Sequence, residues 1–158
     1  MTQSQAFKRA KEWAALSFGS IDAAMHYEDE GSGKLIFKGW TTVWYSATFK
    51  NIWGNVKSFP EDRQILFSLV ITLKNGKAKM EFRNLRYKHK VPGAVVGNIY
   101  VPTQEYEYPM MAAFPLAMTA PATWRGTVDL LNKTLAAMGS HCTNLEKHIK
   151  ALIEDYEF

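Results

Sequence analysis

The sequence predicts an α+β domain: a twisted antiparallel sheet of about five strands, with an N-terminal helix and a long C-terminal helix packed on one face. Three observations lead to this prediction. Apolar residues recur with helical spacing near both ends of the chain. The residues between them are rich in β-branched and aromatic side chains, and an Asn-Gly pair at positions 75 and 76 marks a tight hairpin.

The composition is that of an ordinary globular protein. The chain has 158 residues, of which 47% are hydrophobic and 22% charged, and this balance excludes a disordered chain and predicts a single domain over residues 1–158. No apolar run is long enough to cross a bilayer, and residues 1–11 are too polar for a signal peptide. The one cysteine, Cys142, excludes an internal disulfide and leaves the redox compartment open.

The first helix is predicted from Ser4 to Phe18. Its apolar residues share one side, with basic and acidic residues on the other; they are Phe7, Ala10, Ala14 and Phe18, with Trp13 beside them. Gly19 stands where a glycine commonly ends a helix. Residues 21–27 are predicted to form a short strand, and the polar, glycine-containing residues 29–33 a turn.

Residues 35–46 predict a long strand. One face holds Leu35, Phe37, Thr41, Val43 and Tyr45, and the other holds Ile36, Lys38, Trp40, Thr42 and Trp44. Neither face is wholly polar. We therefore expect both faces of this strand to be covered, at least in part.

The clearest local signal is the hairpin at Asn75-Gly76, because this pair favours a type I′ turn. A two-residue loop aligns apolar residues on one face, as Leu73 with Ala78, Ile71 with Met80, and Leu69 with Phe82. On the other face it aligns Thr72 with Lys79, Val70 with Glu81, and Ser68 with Arg83. Turn chemistry and alternation agree, so we expect one buried and one exposed face.

Two segments show no steady period and are predicted to be connections. They are residues 47–64 and the proline-rich residues 90–121, in which only residues 95–101 are typical of a strand. Residues 122–156 predict one long helix with a bend at Gly139-Ser140. Its apolar stripe is Trp124, Val128, Leu131, Leu135, Met138, Cys142, Leu145, Ile149, Leu152 and Tyr156. The stripe predicts packing on the sheet, and the alternative is the seam of a dimer.

Several motifs resemble those of a known family. They are residues 10–13 (AKEW), residues 26–29 (HYED), residues 33–39 (GKLIFKG) and residues 71–77 (ITLKNGK) with Phe82. The family is a domain of unknown function with a TATA-binding-protein-like (TBP-like) fold, found mostly in exported or envelope-associated proteins of Bacteroidetes. The resemblance spans roughly the first ninety residues. It implies the TBP-like fold and a periplasmic or cell-envelope location, but it transfers no activity and does not imply DNA binding.

No catalytic or metal-binding residues are predicted. His141 and Cys142 are adjacent on a helix and so point about 100° apart, which is unsuitable for a thiol and its base. His141 and His148 are seven residues apart rather than the three or four that suit a metal pair on a helix. We expect a buried Cys142 with surface histidines. The acids at positions 28–30 are contiguous in a turn and are predicted to be solvated.

Two groups of side chains are candidates for binding. The aromatic residues Trp40, Trp44, Tyr45 and Trp53, together with Phe49, could line an apolar or sugar-binding cleft or belong to the core. Residues 106–118 are apolar for a connection. Met110, Met111 and Phe114 within them could form a partner surface or cover the sheet.

We therefore predict a non-catalytic binding or interaction module of the bacterial envelope, without a cofactor, as a monomer or homodimer. The first alternative is a carrier of a small apolar ligand between the sheet and the long helix, lined by Trp40, Trp44 and Met138. The second is a nucleic-acid binder through the basic hairpin residues Lys77, Lys79, Arg83, Arg86 and Lys88. The net charge of +4 is spread along the chain and does not favour nucleic acid.

Overall fold

The computed structural model describes residues 2–18, 24–50, 53–74, 76–97, 99–112 and 121–155. The side chains of residues 49, 50, 96, 121–124 and 151–155 lie outside this description. The elements are α1 (Gln3–Phe18), β1 (Met25–Asp29), β2 (Lys34–Lys50), β3 (Val56–Lys74), β4 (Lys77–Val91), β5 (Ala94–Val96), β6 (Ile99–Val101), β7 (Gln104–Pro109), a 3₁₀ turn (Met110–Ala112) and α2 (Pro121–Asp155).

Five strands form one antiparallel sheet in the order β1-β2-β3-β4-β7, and β5 pairs with β6 in a separate two-stranded ribbon. The α+β class, the five strands and the two flanking helices are confirmed. The chain divides into two compact units. The first comprises Met1–Trp40, Phe67–Asn84 and Ala136–Phe158, and the second comprises Thr41–Leu66 and Leu85–Leu135.

The first helix packs as its periodicity predicts. Its buried side is Ala6, Phe7, Ala10, Trp13 and Ala14. In the same unit, Leu35 and Phe37 of β2 and Leu69, Ile71 and Leu73 of β3 are buried. The predicted C-terminal glycine, Gly19, and residues 21–23 of the predicted first strand lie outside the described residues. The strand itself runs from Met25 to Asp29.

The turn between β1 and β2 depends on Gly33. Its φ of 67° is left-handed, and the Leu73 amide donates to its carbonyl oxygen at 2.8 Å. A Cβ here would collide with the Leu73 carbonyl oxygen, so the close approach of the two chain segments requires glycine. The neighbouring acids are paired. Glu28 lies 2.5 Å from the Lys11 ammonium, and Glu30 accepts a hydrogen bond from the Ser4 hydroxyl.

Strands β2 and β3 are longer than the sequence suggests. Residues 47–64 were predicted to be a connection, yet β2 continues to Lys50 and β3 begins at Val56. Pro60 and the charged residues 61–63 hide the alternation, because here an arginine and a glutamate occupy the inward positions. The expectation that β2 is covered on both faces is also wrong. On one face Leu35, Phe37 and Val43 are buried, whereas on the other Trp40, Thr42 and Trp44 are exposed.

The β3–β4 hairpin follows the predicted pattern on its buried face in β3. On the predicted exposed face, Val70 is only 4% exposed, because β3 is the central strand and has a neighbour on each side. In β4 the predicted partners on the same face are less buried: Ala78 is exposed and Met80 is half-buried. Gly76 has the left-handed φ that the turn requires, and Asn75 lies outside the described residues.

Asn84 interrupts the alternation of β4. It has a φ of 54°, the one non-glycine residue with a positive φ in the described chain. Before it, Phe82 packs edge-on against Phe67 with ring centres 5.2 Å apart; after it, Tyr87 is buried against Thr134 of α2. Regular alternation would place residues 82 and 87 on opposite faces. The left-handed backbone of Asn84 changes the alternation as a β-bulge does, so that even-numbered Phe82 packs inward before it and odd-numbered Tyr87 after it.

Residues 86–109 form one interrupted hairpin instead of the predicted connection. Arg86 to Val91 pair with Pro109 to Gln104. The same register continues in the ribbon, where Ala94, Val95 and Val96 pair with Val101, Tyr100 and Ile99. The ladder breaks at Pro92 and Pro102, which have no N–H to donate. Gly97, with a φ of 64°, and Asn98 separate the two ribbon strands in the sequence.

The last helix is confirmed at Pro121–Asp155, but its apolar stripe is displaced in the first half. Leu130 and Thr134 are buried there, whereas the predicted Leu135 is 57% exposed. Two polar contacts set this rotation. Asp129 accepts a hydrogen bond from the Ser46 amide at 2.7 Å, and the Gly126 amide donates one to the Thr48 hydroxyl at 3.2 Å. Met138 and Leu145 are buried as predicted. No helix in the described ranges combines the length and apolarity that a bilayer span needs.

Candidate functional site

A polar cluster lies on the buried face of the second unit. Tyr45 donates a hydrogen bond to Glu61 at 2.7 Å, and an Arg63 guanidinium nitrogen lies 2.7 Å from the other oxygen of the same carboxylate. His89 Nδ1 is 3.4 Å from that oxygen and also contacts Arg63. The Arg63 guanidinium lies over the Tyr45 ring, 5.6 Å from its centre. One carboxylate therefore holds three partners from β2, β3 and β4.

Burial and hydrogen bonding set the protonation states in this cluster. Burial raises the pKa of Tyr45, and its hydrogen bond to Glu61 raises it further. Burial opposes ionisation of Glu61, but the hydrogen bonds from Tyr45 and Arg63 outweigh it, so the pKa of Glu61 is lowered. Burial and the Arg63 charge together lower the pKa of His89. At neutral pH the phenol stays protonated, the carboxylate ionised and the imidazole neutral.

This arrangement is better suited to a structural role than to proton transfer in catalysis. A general acid or base works best with a pKa near the working pH, and these shifts move Tyr45 and Glu61 away from neutrality. In the described part of the chain, no three His, Cys, Asp or Glu side chains are placed to hold a metal ion. The cluster therefore fixes β2, β3 and β4 through one ion pair and its hydrogen bonds.

A second feature of this unit is one end of the sheet. The β2–β3 connection and the ribbon that joins β4 to β7 both leave the sheet there, because consecutive strands of hairpins run antiparallel. Their sequences, residues 49–60 and 88–104, contain four lysines (50, 57, 88 and 90) and no aspartate or glutamate. We call these two segments the acid-free end. The acids that follow these segments directly in the sequence are Glu61, Asp62 and Glu105. Of these, Glu105 pairs with Lys88 at 2.9 Å.

Apolar side chains are exposed across the acid-free end. Val95 and Tyr100, which pair on one face of the ribbon, are 70% and 69% exposed. Ile99 on the other face is 70% exposed, and Trp53 in the β2–β3 connection is 80% exposed. Both faces of the ribbon are thus open to solvent. Several large apolar side chains exposed at one end of a sheet are a common mark of an interaction site.

The aromatic residues predicted to bind a ligand do not share one surface. Trp40 and Trp44 lie on the exposed face of β2, and Trp53 is exposed in the connection that follows. Tyr45 is buried on the opposite face and holds Glu61. Strand alternation separates Tyr45 from Trp44, and the sequence alone did not show which face was buried.

The predicted partner surface is described in part. Met110 and Met111 lie in the 3₁₀ turn, with Met111 71% exposed. Phe114 lies outside the described residues. The exposure of Met111 is compatible with a partner surface, which stays a prediction.

The basic hairpin holds less free positive charge than its sequence suggests. In the first unit, Lys79 and Arg83 share the carboxylate of Glu81 at 3.3 and 3.2 Å. In the second unit, Arg86 pairs with Glu107 at 2.7 Å and Lys88 with Glu105. These pairs reduce the positive potential of the hairpin, which a nucleic-acid binder would need to attract a phosphate backbone.

The expectation of a buried Cys142 with surface histidines is wrong, because His141, Cys142 and His148 are all half-buried. In the first unit the His141 imidazole lies against the rings of Trp13, Phe18, Phe67 and Phe82, with centroid distances of 5.6 to 6.4 Å. Burial lowers its pKa and raises that of Cys142. Cys142 is therefore protonated at neutral pH and unsuited to nucleophilic attack.

Sequence reasoning missed Glu61, Arg63 and His89 as a group, and it missed the ribbon as a surface. Glu61 and Arg63 are two residues apart, so they share a face if they lie in a strand. The sequence did not show this, because it did not reveal that β3 begins at Val56. The ribbon had a usable signal. Gly97-Asn98 lies between Val95-Val96 and Ile99-Tyr100, residue pairs that favour strands. This is a hairpin pattern, and the surrounding prolines obscured it.

The fold and this site define an α+β domain with a TBP-like fold and an exposed apolar and basic end. The chain belongs to DUF4468, a family of domains of unknown function with a TBP-like fold, whose family model matches residues 1–88. It is similar to the crystal structure of a DUF4468 family protein from Bacteroides ovatus, with a TM-score of 0.57 and 15% identity over 94% of this chain and 79% of that chain. A comparison with curated proteins gave no match.

Proposed function

We propose that this chain is a non-catalytic binding module of the bacterial envelope that attaches to its partner through the acid-free end. The observation that carries the proposal is the exposure of Val95, Ile99 and Tyr100 on both faces of the ribbon. Side chains as exposed as these lose most of their contact with solvent when a partner covers them, and that burial is favourable. The protonation states of the Tyr45–Glu61–Arg63–His89 cluster support a role without catalysis.

The envelope location is part of the proposal. It rests on the resemblance of roughly the first ninety residues to a family found mostly in exported or envelope-associated proteins of Bacteroidetes.

The two alternatives receive less support. A carrier lined by Trp40 and Trp44 would need these side chains to face inward, and they are 59% and 65% exposed. A nucleic-acid binder would need free cations along the hairpin, where four of the five predicted residues pair with carboxylates.

Site-specific photocrosslinking in cells that naturally make the protein tests the proposal. A benzophenone amino acid replaces Tyr100 in one variant and Leu16, an equally exposed residue of α1, in a second. We expect a light-dependent adduct, to protein or to lipid, at position 100 and none at position 16. Equal adducts at both positions, or no adduct at position 100, would contradict the proposal.

A further inference from the structure

We infer that the acid-free end docks on the surface of a lipid bilayer that contains anionic lipid, with the ribbon tip and Trp53 in the interfacial layer. This inference rests on the proposed function, because it names the partner of the same surface. Three features of the second unit support it. They are the charge of this end, its exposed aromatic and aliphatic side chains, and the limit that backbone hydrogen bonding sets on how deeply the ribbon can enter a bilayer.

Charge complementarity favours an anionic surface. Residues 49–60 and 88–104 hold four lysines without an acid, but Lys88 pairs with Glu105 at 2.9 Å. Lys57 and Lys90 are exposed. By contrast, Lys79, Arg83 and Arg86 elsewhere in the hairpin are neutralised by glutamates. Each lysine held near an anionic membrane strengthens binding by about fivefold, so Lys57 and Lys90 together provide an appreciable attraction.

The exposed side chains are those that the bilayer interface accepts. Trp53 and Tyr100 have amphipathic rings, and tryptophan and tyrosine concentrate at the headgroup level of membranes. Val95 and Ile99 add aliphatic surface at the tip of the ribbon. A protein partner that covered both faces of the ribbon would need a cleft of matching shape, whereas acyl chains and headgroups surround a two-sided tip without one.

Backbone hydrogen bonding keeps the contact shallow. The ribbon has only two strands, so the outer N–H and C=O groups of both strands have no strand partner. Such groups are not tolerated in the hydrocarbon region but are satisfied by water and headgroups at the interface. The expected position is therefore interfacial, with the lysines at the level of the lipid phosphates.

Vesicle cosedimentation with the full chain tests the inference. The vesicles contain either phosphatidylcholine alone or phosphatidylcholine mixed with phosphatidylglycerol. We expect binding to the mixed vesicles that exceeds binding to phosphatidylcholine by at least about tenfold and that falls as salt is added. Absent binding to the mixed vesicles, or equal binding to both, would overturn the inference.

Matched variants locate the contact. Ile99→Ser combined with Tyr100→Ser should weaken binding to the mixed vesicles by about a hundredfold, because it removes two inserted side chains. Lys57→Gln combined with Lys90→Gln should weaken it by about twentyfold and flatten its salt dependence. Leu16→Ser and Lys38→Gln, which change exposed residues of the first unit, should leave it unchanged. Retained binding in the ribbon variant, or an equal loss in these controls, would also overturn the inference.

The two proposals fail in different ways. If benzophenone at position 100 forms a protein adduct and the chain does not bind mixed vesicles, the lipid inference is wrong and the binding module stands. If the chain neither crosslinks at position 100 nor binds vesicles, both are wrong. Lipid adducts at position 100 together with selective vesicle binding would support both.

Discussion

Tyr45 donates its phenolic hydrogen to Glu61 at 2.7 Å, across neighbouring strands of the sheet. The same carboxylate holds Arg63, which lies over the Tyr45 ring. Each group thus depends on the other two. The hydroxyl and guanidinium keep the buried carboxylate ionised, and the carboxylate keeps the buried guanidinium neutralised.

Tyr45→Phe should lower the free energy of unfolding by about 1.5 to 3 kcal/mol, because it leaves a partly buried carboxylate without one of its donors. It should also raise the pKa of Glu61, since the lost hydrogen bond favours the ionised form. Urea unfolding measures the first effect and carbon-detected NMR titration the second. Tyr106→Phe is the control, because Tyr106 is exposed and its hydroxyl bonds, among the described residues, only to Gln104. A Glu61 pKa unchanged by Tyr45→Phe would refute this account.

Gly33→Ala should cost more than about 3 kcal/mol of stability, because the new Cβ meets the Leu73 carbonyl oxygen and the backbone is left-handed. Gly97→Ala is the matched control. Gly97 has nearly the same φ, 64° against 67°, but a Cβ there meets no atom within 4 Å. It should therefore cost only the conformational strain, about 1 kcal/mol. Similar losses in the two variants, measured by thermal unfolding, would show that the steric contact is unimportant.

The sequence was sufficient for the elements whose local and tertiary preferences agree. The helix of Gln3–Phe18 and the buried residues Leu69, Ile71 and Leu73 follow from periodicity, because the buried face contains only apolar residues. The same rule failed at β3 around Glu61 and Arg63, since there the inward positions are charged. A pattern of polar and apolar residues cannot reveal a polar cluster whose members come from three strands.

The candidate surface was partly predictable. Trp53 was singled out, but Val95, Ile99 and Tyr100 were placed in one strand-like stretch of a predicted connection and not in a two-stranded ribbon. What sequence could not supply was the register that extends β4 and β7 past Pro92 and Pro102. That register is a nonlocal property. It places the ribbon at the same end of the sheet as the β2–β3 connection.

Asn84 offers a direct test of the bulge in β4. Its φ of 54° is accessible to asparagine and glycine but strained for a β-branched residue. Asn84→Val should therefore lower the free energy of unfolding by about 1 to 2 kcal/mol, although Asn84 is exposed and valine favours strands. Asn84→Gly should change it by less than about 0.5 kcal/mol. A stabilising valine in chemical denaturation would mean that the strand is regular at this position.

His141 should make stability depend on pH. Its imidazole is surrounded by four aromatic rings, and burial lowers its pKa from the ordinary 6.5. The unfolded chain then binds a proton at a higher pH than the folded chain does. The free energy of unfolding should fall as the pH drops below about 6.5, until the folded imidazole is itself protonated.

His141→Leu should reduce this decline, because leucine suits the apolar surroundings and does not titrate. Unfolding in urea at about pH 7.5 and about pH 5 measures the decline in each protein. The decline should shrink without disappearing, because the pKa of His89 is lowered too and acts in the same direction. The wild-type protein and the variant should differ most at the lower pH, where a buried imidazolium among aromatic rings has no described carboxylate partner in the wild type. An identical decline in both proteins would show that His141 accepts its proton as readily in the folded state as in the unfolded chain.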